Sequence, residues 1–86
     1  MKSLQIKLIN PEGRCVERIL SRHMDVTNRE TIFYSSFIIG KTYPQGQAGT
    51  DYHCIKHLNH WHIMDGLITL FYDDGYCLEI NRINND

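Results

Sequence analysis

The sequence predicts a mainly β fold: a small single-domain antiparallel sheet or partly closed barrel of five to six strands, with a C-terminal three-stranded meander. Two patterns carry this prediction. Residues 4–9 alternate between apolar and polar side chains, and residues 58–83 contain β-rich runs separated by glycine turns. A chain of 86 residues with 42% hydrophobic and 22% charged residues has the composition of one globular domain, 1–86, and not that of a disordered segment.

Residues 4–20 predict a β-hairpin. Leu4, Ile6 and Leu8 alternate with polar residues, which is the period of a half-buried strand. The "NPEG" that follows suits a type I turn, because proline stands at its second position and glycine at its fourth. Apolar and charged residues then mix again, so we expect the second strand of the hairpin to end near residue 20.

Residues 25–43 are ambiguous between a strand and a helix. Thr27 followed by Glu30 matches a helix capping box, and Gly40 suits the end of a helix. The residues between these signals are mostly β-branched and aromatic, however, and such side chains favour a pleated strand. We favour the strand; the alternative is an α+β fold with one helix near residues 28–39.

Residues 40–51 predict a long loop. They contain three glycines and one proline but no large aliphatic side chain. Loops of this length in small domains often carry function. The alternative is a surface excursion without a role.

Residues 58–83 predict a three-stranded antiparallel meander. Asp65-Gly66 is a signal for a type I′ turn, and residues 73–75, "DDG", suit a type I turn followed by a glycine bulge. The middle strand, residues 67–72, is largely apolar on both of its faces. This pattern is typical of a strand that is covered on both sides.

The most unusual segment is "HCIKHLNHWH", residues 53–62, which holds four of the five histidines and the only tryptophan. On a helix, His53, His57 and His60 would share one face and could hold a zinc ion. On a strand they divide between two faces, and two ligands on one face are too few. The segment also lacks paired cysteines and the glutamate of a zinc protease. We therefore expect no metal and no cofactor.

The chain offers no constellation of catalytic residues. Cys54 lies beside His53, but neighbouring residues on a strand point to opposite faces, so this histidine does not activate that thiol. No nucleophile elbow, phosphate-binding loop or dinucleotide fingerprint is present. We expect no catalytic residues and a protein that is not an enzyme.

Binding of another protein is the function that the sequence favours. Tryptophan and tyrosine dominate the energetics of protein interfaces, and Trp61 is flanked by two histidines in "HWH". The alternative for Trp61 is the core of the domain, where a single tryptophan in a small β protein commonly lies. The predicted binding residues are Tyr43, Tyr52, His60, Trp61 and His62.

The sequence supports one leading function and one alternative from a different class. The first is a non-enzymatic module that acts as an inhibitor, adaptor or regulatory subunit through an aromatic and histidine-rich surface. The alternative is a metal- or pH-responsive regulator that uses the His53–His62 cluster, since histidine changes its charge near neutral pH.

The charge and the cysteine content of the chain limit the classes of partner and the cellular compartment that we expect. The formal net charge is −1, so no basic excess exists to neutralise a phosphate backbone, and we do not expect nucleic acid as a partner. No apolar run is long enough to span a bilayer, and we expect no membrane partner. Three widely spaced cysteines fit reduced, buried thiols in the cytoplasm better than a disulfide framework.

Overall fold

A computed structural model describes residues 2–41 and 50–84, and in this part of the chain it contains nine strands in two antiparallel sheets. The mainly β prediction is confirmed. The strands outnumber the five to six expected because three of them span four residues or fewer, too few to leave a pattern in the sequence. The strands are β1 (Lys2–Ile9), β2 (Cys15–Ser21), β3 (His23–Val26), β4 (Glu30–Tyr34), β5 (Phe37–Ile38), β6 (Tyr52–Ile55), β7 (Leu58–Met64), β8 (Leu67–Tyr72) and β9 (Cys77–Asn84).

The larger sheet has six strands in the order β5-β2-β1-β9-β8-β7. The hairpin predicted for residues 4–20 is present as β1 and β2, and the Gly13 N–H donates to the Asn10 carbonyl at 2.9 Å, as a type I turn requires. β1 also pairs with β9 along its whole length, from Lys2 opposite Asn84 onward. This pairing joins the N-terminal hairpin to the C-terminal meander in one sheet.

The meander β7-β8-β9 is confirmed together with both of its turns. Asp65 and Gly66 have φ angles of 52° and 79°, the two positive values that a type I′ turn needs. In the second turn the Gly75 N–H donates to the Tyr72 carbonyl at 3.1 Å, and the Tyr72 N–H donates to the Tyr76 carbonyl at 2.9 Å. Gly75 has a φ of 87°, which identifies the predicted glycine bulge.

The smaller sheet has the order β3-β4-β6, and the helix alternative for residues 28–39 is wrong. The Thr27 hydroxyl accepts the Glu30 N–H at 3.0 Å, as a helix cap would, but it closes the tight turn between β3 and β4. The Thr27 N–H completes this turn by donating to the Glu30 carbonyl at 2.8 Å. A threonine of this kind satisfies local backbone groups in a turn as well as at a helix end, so the capping signal could not decide between them. The described residues contain no helix, and hence none that is long and apolar enough to cross a membrane.

Ser21 holds the chain at the point where it leaves the large sheet and enters the small one. Its side chain is buried, and its hydroxyl lies 2.7 Å from the His23 carbonyl oxygen and 2.9 Å from that of Tyr34. One hydroxyl donor therefore serves two carbonyls, one from β3 and one from β4. This contact fixes the bend that turns the end of β2 into the start of the second layer.

One face of the large sheet carries an unbroken row of isoleucines. The residues of this row stand opposite one another across all six strands: Ile38, Ile19, Ile6, Ile80, Ile68 and Ile63. Ile19, Ile6 and Ile80 are buried, whereas Ile63 at the end of the row is exposed. The core therefore lies over the middle of this inner face, and the side chains of the row become exposed towards β7.

The small sheet packs on the inner face and supplies two of the buried core residues, Phe33 and Cys54. Phe33 is fully buried and its ring stacks on that of Tyr52 at a centroid distance of 5.8 Å. Between the layers, the hydroxyls of Thr31 and Tyr72 lie 2.9 Å apart in a buried hydrogen bond. The fold is thus a two-layer β structure with an apolar core that includes a buried hydrogen bond between the layers.

The buried hydrogen bond makes a prediction for stability. Thr31→Val keeps the shape of the side chain but leaves the Tyr72 hydroxyl without this partner, so we expect the free energy of unfolding to fall by ~1–3 kcal/mol. Adding Tyr72→Phe removes the stranded hydroxyl, and the double variant should be more stable than Thr31→Val alone. Urea unfolding of the wild type, both single variants and the double variant measures the coupling. Losses that simply add would show that the bond contributes nothing.

The outer face of the large sheet differs from its prediction. Leu67, Thr69 and Phe71 of β8 are half-buried, and neither of the two described sheets covers them. The expectation that β8 is covered on both faces is therefore wrong for this part of the chain. Its apolar side chains are shielded by neighbours within the sheet, such as Cys77 opposite Phe71.

Candidate functional site

β7 forms one edge of the large sheet and is exposed along almost its whole length. Leu58 is half-buried, and the other six residues of this seven-residue strand are exposed. Trp61, Ile63 and Met64 have 64%, 63% and 58% of their surface exposed. Large apolar side chains grouped in this way mark interaction surfaces in soluble proteins. We call the side chains of this surface the β7 patch: His60, Trp61, His62, Ile63 and Met64.

The β7 patch is exposed because the small sheet reaches only the beginning of β7. The Leu58 N–H donates to the carbonyl of Asn28, in the β3–β4 turn, at 2.9 Å. Further along, Trp61 stands opposite Leu70 and Ile63 opposite Ile68, both on β8. The alternative that Trp61 lies in the core is therefore wrong, since 64% of its surface is exposed.

The β7 patch presents different chemistry on the two faces of the sheet. Trp61 and Ile63 lie on the inner face, in continuity with the core, because their partners on β8 do. His60, His62 and Met64 lie on the outer face. A bulge between Leu58 and His60 sets this phase, which an uninterrupted alternation from the start of the strand would have reversed.

His60 is held in place on the outer face. Its ring stacks on Phe71 of β8 with a centroid distance of 4.5 Å and an interplanar angle of 13°. Its Nδ1 atom lies 2.8 Å from the Asn59 side-chain oxygen. An ordered, exposed ring of this kind can contact a partner at a small cost in side-chain entropy.

β7 carries none of the charges that usually protect an edge strand. From Leu58 to Met64 it has no lysine, arginine, aspartate, glutamate or proline. Edge strands are normally blunted by such residues because their backbone groups would otherwise pair with other chains. The strand therefore combines exposed apolar side chains with an edge open to pairing.

The base of β7 is anchored firmly. Lys56, in the connection from β6, donates a hydrogen bond to the Asp74 carboxylate and lies 3.9 Å from the centroid of the Tyr76 ring. The Asn59 amide donates to the Asp73 carboxylate at 2.9 Å. These contacts tie the start of β7 to the β8–β9 turn, so the patch is presented on a fixed support.

The histidine cluster is divided between the two sheets. His53 lies on β6, where its Nδ1 is 2.9 Å from a carboxylate oxygen of Glu30, and His57 lies in the connection between β6 and β7. His60 and His62 lie on β7. In residues 2–41 and 50–84 no group of three or more histidine, cysteine, aspartate or glutamate side chains could hold a metal ion. The metal-responsive alternative thus stays a prediction.

Two predicted binding residues do not belong to the β7 patch as it is described. Tyr43 lies outside the described residues. Tyr52 lies on β6, in the other sheet, and its hydroxyl donates to the Glu17 carboxylate at 2.5 Å. Burial and this hydrogen bond raise its pKa, as expected for a phenol with a structural role between the layers. A binding role for either residue stays a prediction.

The three thiols are all free, but they are not all buried as expected. Cys54 is buried, Cys77 is half-buried and Cys15 is exposed. Burial raises the pKa of the Cys54 and Cys77 thiols, which disfavours the reactive thiolate. Neither thiol is therefore in the environment of an activated nucleophile.

Comparisons of the chain with family models, with curated proteins and with solved structures found no match. A functional proposal therefore rests on the residues of the β7 patch and their surroundings.

Proposed function

We propose that this protein is a non-enzymatic protein-binding module that acts as an inhibitor, adaptor or regulatory subunit through the β7 patch. The observation that carries the proposal is the exposure of Trp61, Ile63 and Met64 on a strand without lysine, arginine, aspartate or glutamate. Aromatic and methionine side chains are enriched at the centres of protein interfaces, and charged side chains are depleted there.

A protein partner fits this surface better than a nucleic acid does. The patch has no lysine or arginine to meet phosphate groups, and the formal net charge of the chain is −1. Tryptophan at the rim of a core gives a partner a large apolar area and an indole N–H donor together. We place the protein in the cytoplasm, a compartment that three free cysteines support.

The proposal is tested by capturing the partner and mapping its footprint. The tagged protein is used as bait in an extract of its native cells, and captured proteins are identified and purified for reconstitution. In the reconstituted complex we expect slower hydrogen exchange of the backbone amides of residues 60–64, because a partner seated on the patch excludes water from them. Residues 15–21 of β2, remote in the strand order, serve as the internal reference.

A matched variant distinguishes specific capture of a partner from nonspecific hydrophobic binding. Ile55→Ala removes an apolar side chain that is 78% exposed but lies on β6, outside the patch. Capture should survive this change. A complex that leaves exchange in residues 60–64 unaltered, or bait that retains no protein at all, would overturn the proposal.

A further inference from the structure

The space between the two sheets is open on the side where β3 and β7 lie. On the inner face of the small sheet, Thr31 is fully buried but its neighbour Val26 on β3 is 39% exposed. On the large sheet the isoleucine row runs from buried Ile80 to exposed Ile63 on β7. In both layers the inner side chains become more exposed towards β3 and β7. A strand missing from the second layer at this place would produce the same pattern.

A hollow of about 290 Å³ marks this opening on the inner face. Most of its lining is aliphatic, and one arginine stands at its border. We call this region the open corner, and its residues are Leu4, Ile63, Gly66, Ile68, Ile80 and Arg82.

A second hollow of about 230 Å³ adjoins the open corner and shares Leu4 and Arg82 with it. Its other lining residues are Ser3, Arg22 and His23, so the apolar floor continues into a cationic rim. His23 lies 3.5 Å from the Asp25 carboxylate. No described residue forms an ion pair with Arg22 or Arg82.

β3 is the edge strand of the small sheet on the side of the second hollow. Its first residue, His23, lines the second hollow, and the turn that follows β3 contacts the start of β7 through Asn28 and Leu58. The strand thus runs from the cationic rim to the base of β7. A further strand added beside β3 would lie over Ile63 and Ile68, at the spacing of about 10 Å that separates packed sheets.

We propose that the open corner accepts an extended segment of a partner protein, which pairs with the edge of β3 as a fourth strand of the small sheet. Alternate apolar side chains of the segment cover Ile63 and Ile68, and a carboxylate at one end meets Arg22 and Arg82. The inference rests on the proposed function, because it specifies which chemistry the partner of the neighbouring β7 patch carries.

Two physical arguments select this occupant. A strand laid beside β3 satisfies its outward backbone groups and places every second side chain on the aliphatic floor, which is how strand addition obtains affinity and specificity. An acidic group at one end of the segment is favoured because the second hollow is lined by two arginines, Arg22 and Arg82, that form no ion pair with a described residue. Arginine binds carboxylates in a bidentate geometry. A basic or uniformly polar segment would match neither the floor nor the rim.

The experiment uses a random library of short peptides displayed on phage, selected against the full chain. We expect enriched peptides with apolar residues at alternate positions and an acidic residue near one end. Arg82→Gln should weaken their binding about tenfold, the usual scale of a charge-assisted hydrogen bond. Arg14→Gln, which changes an exposed arginine beside the β1–β2 turn, is the matched control and should leave binding unchanged.

Two further measurements test the pairing with β3. A bound peptide should slow hydrogen exchange of the amides of residues 23–26, and N-methylation of alternate peptide amides should abolish binding. The inference is overturned by a selection that enriches nothing, by peptides that bind the Arg82→Gln and Arg14→Gln variants equally, or by unchanged exchange in β3. Any of these results leaves the capture experiment intact, so a failure here is distinct from a failure of the proposed function.

Discussion

Phe33→Ala is expected to lower the free energy of unfolding by ~3–5 kcal/mol, the usual loss when a fully buried phenylalanine is truncated. Phe33 is 0% exposed and is the largest of the fully buried side chains. It lies on β4, the central strand of the small sheet, and belongs to the same core cluster as the buried residues of the large sheet.

The size of this loss, relative to the total stability of the domain, determines whether the variant remains folded. A domain of 86 residues has a total stability of about 4–13 kcal/mol at the usual ~0.05–0.15 kcal/mol per residue. Phe33→Ala thus removes a large share of it, and urea unfolding should show an early midpoint or no folded baseline. Phe37→Ala, at a phenylalanine that is 38% exposed on β5, is the control and should cost far less. Similar losses in the two variants would contradict the two-layer core.

Trp61→Ala is expected to weaken binding of the captured partner about 30-fold or more, because a central tryptophan contributes ~2 kcal/mol or more to an interface. The same change should alter the free energy of unfolding by less than ~1 kcal/mol, since 64% of the side chain is exposed in the free protein. Binding is measured by titration calorimetry, and stability by urea unfolding of the same preparations.

Two variants sharpen the tryptophan test. Trp61→Phe keeps an aromatic ring on the inner face and should retain part of the affinity, whereas Ile55→Ala on β6 should retain all of it. Unchanged affinity in Trp61→Ala would place the partner elsewhere on the molecule. A large loss of stability in that variant would mean that Trp61 supports the fold, contrary to its exposure.

The turns and the strand alternation of this fold can be predicted from the sequence. The turns at residues 10–13, 65–66 and 73–75 depend on glycine and proline at fixed positions, and all three are present as expected. The alternation in β1 also marks its buried face. These features depend on neighbours within a few residues, and a sequence displays such neighbours directly.

The arrangement of the two sheets is not readable in the same way. The Thr27 hydroxyl accepts the Glu30 N–H in this turn as it would in a helix cap, so only the pairing of β4 with β3 and β6 resolved the ambiguity. The division of residues 53–62 between the sheets depends on the two-residue connection at Lys56 and His57. Such pairings are set by distant parts of the chain, and no local pattern encodes them.

The candidate site was predictable in part. Trp61 and its flanking histidines were identified from their chemistry, but the partial burial of Tyr52 and the exposure of Ile63 and Met64 were not. Exposure depends on where the second layer ends. The available signal was the absence of charged residues from β7, which is unusual for a strand at the edge of a sheet. Arg82 could not be placed at all, since β9 gains its neighbours only through pairing with β1.

The pairing of β1 with β9 has a consequence for the speed of folding. The two strands lie at opposite ends of the described chain, and Lys2 stands opposite Asn84. The centre of the large sheet therefore forms only when these distant segments meet. The loop-closure entropy is lost before the contacts between the two strands can lower the free energy. Domains dominated by such long-range antiparallel contacts fold in milliseconds to seconds, orders of magnitude more slowly than small helical proteins. Until β9 arrives, the apolar face of β1 remains exposed to other chains, so the interval before closure is the period in which a newly made molecule is most prone to aggregate.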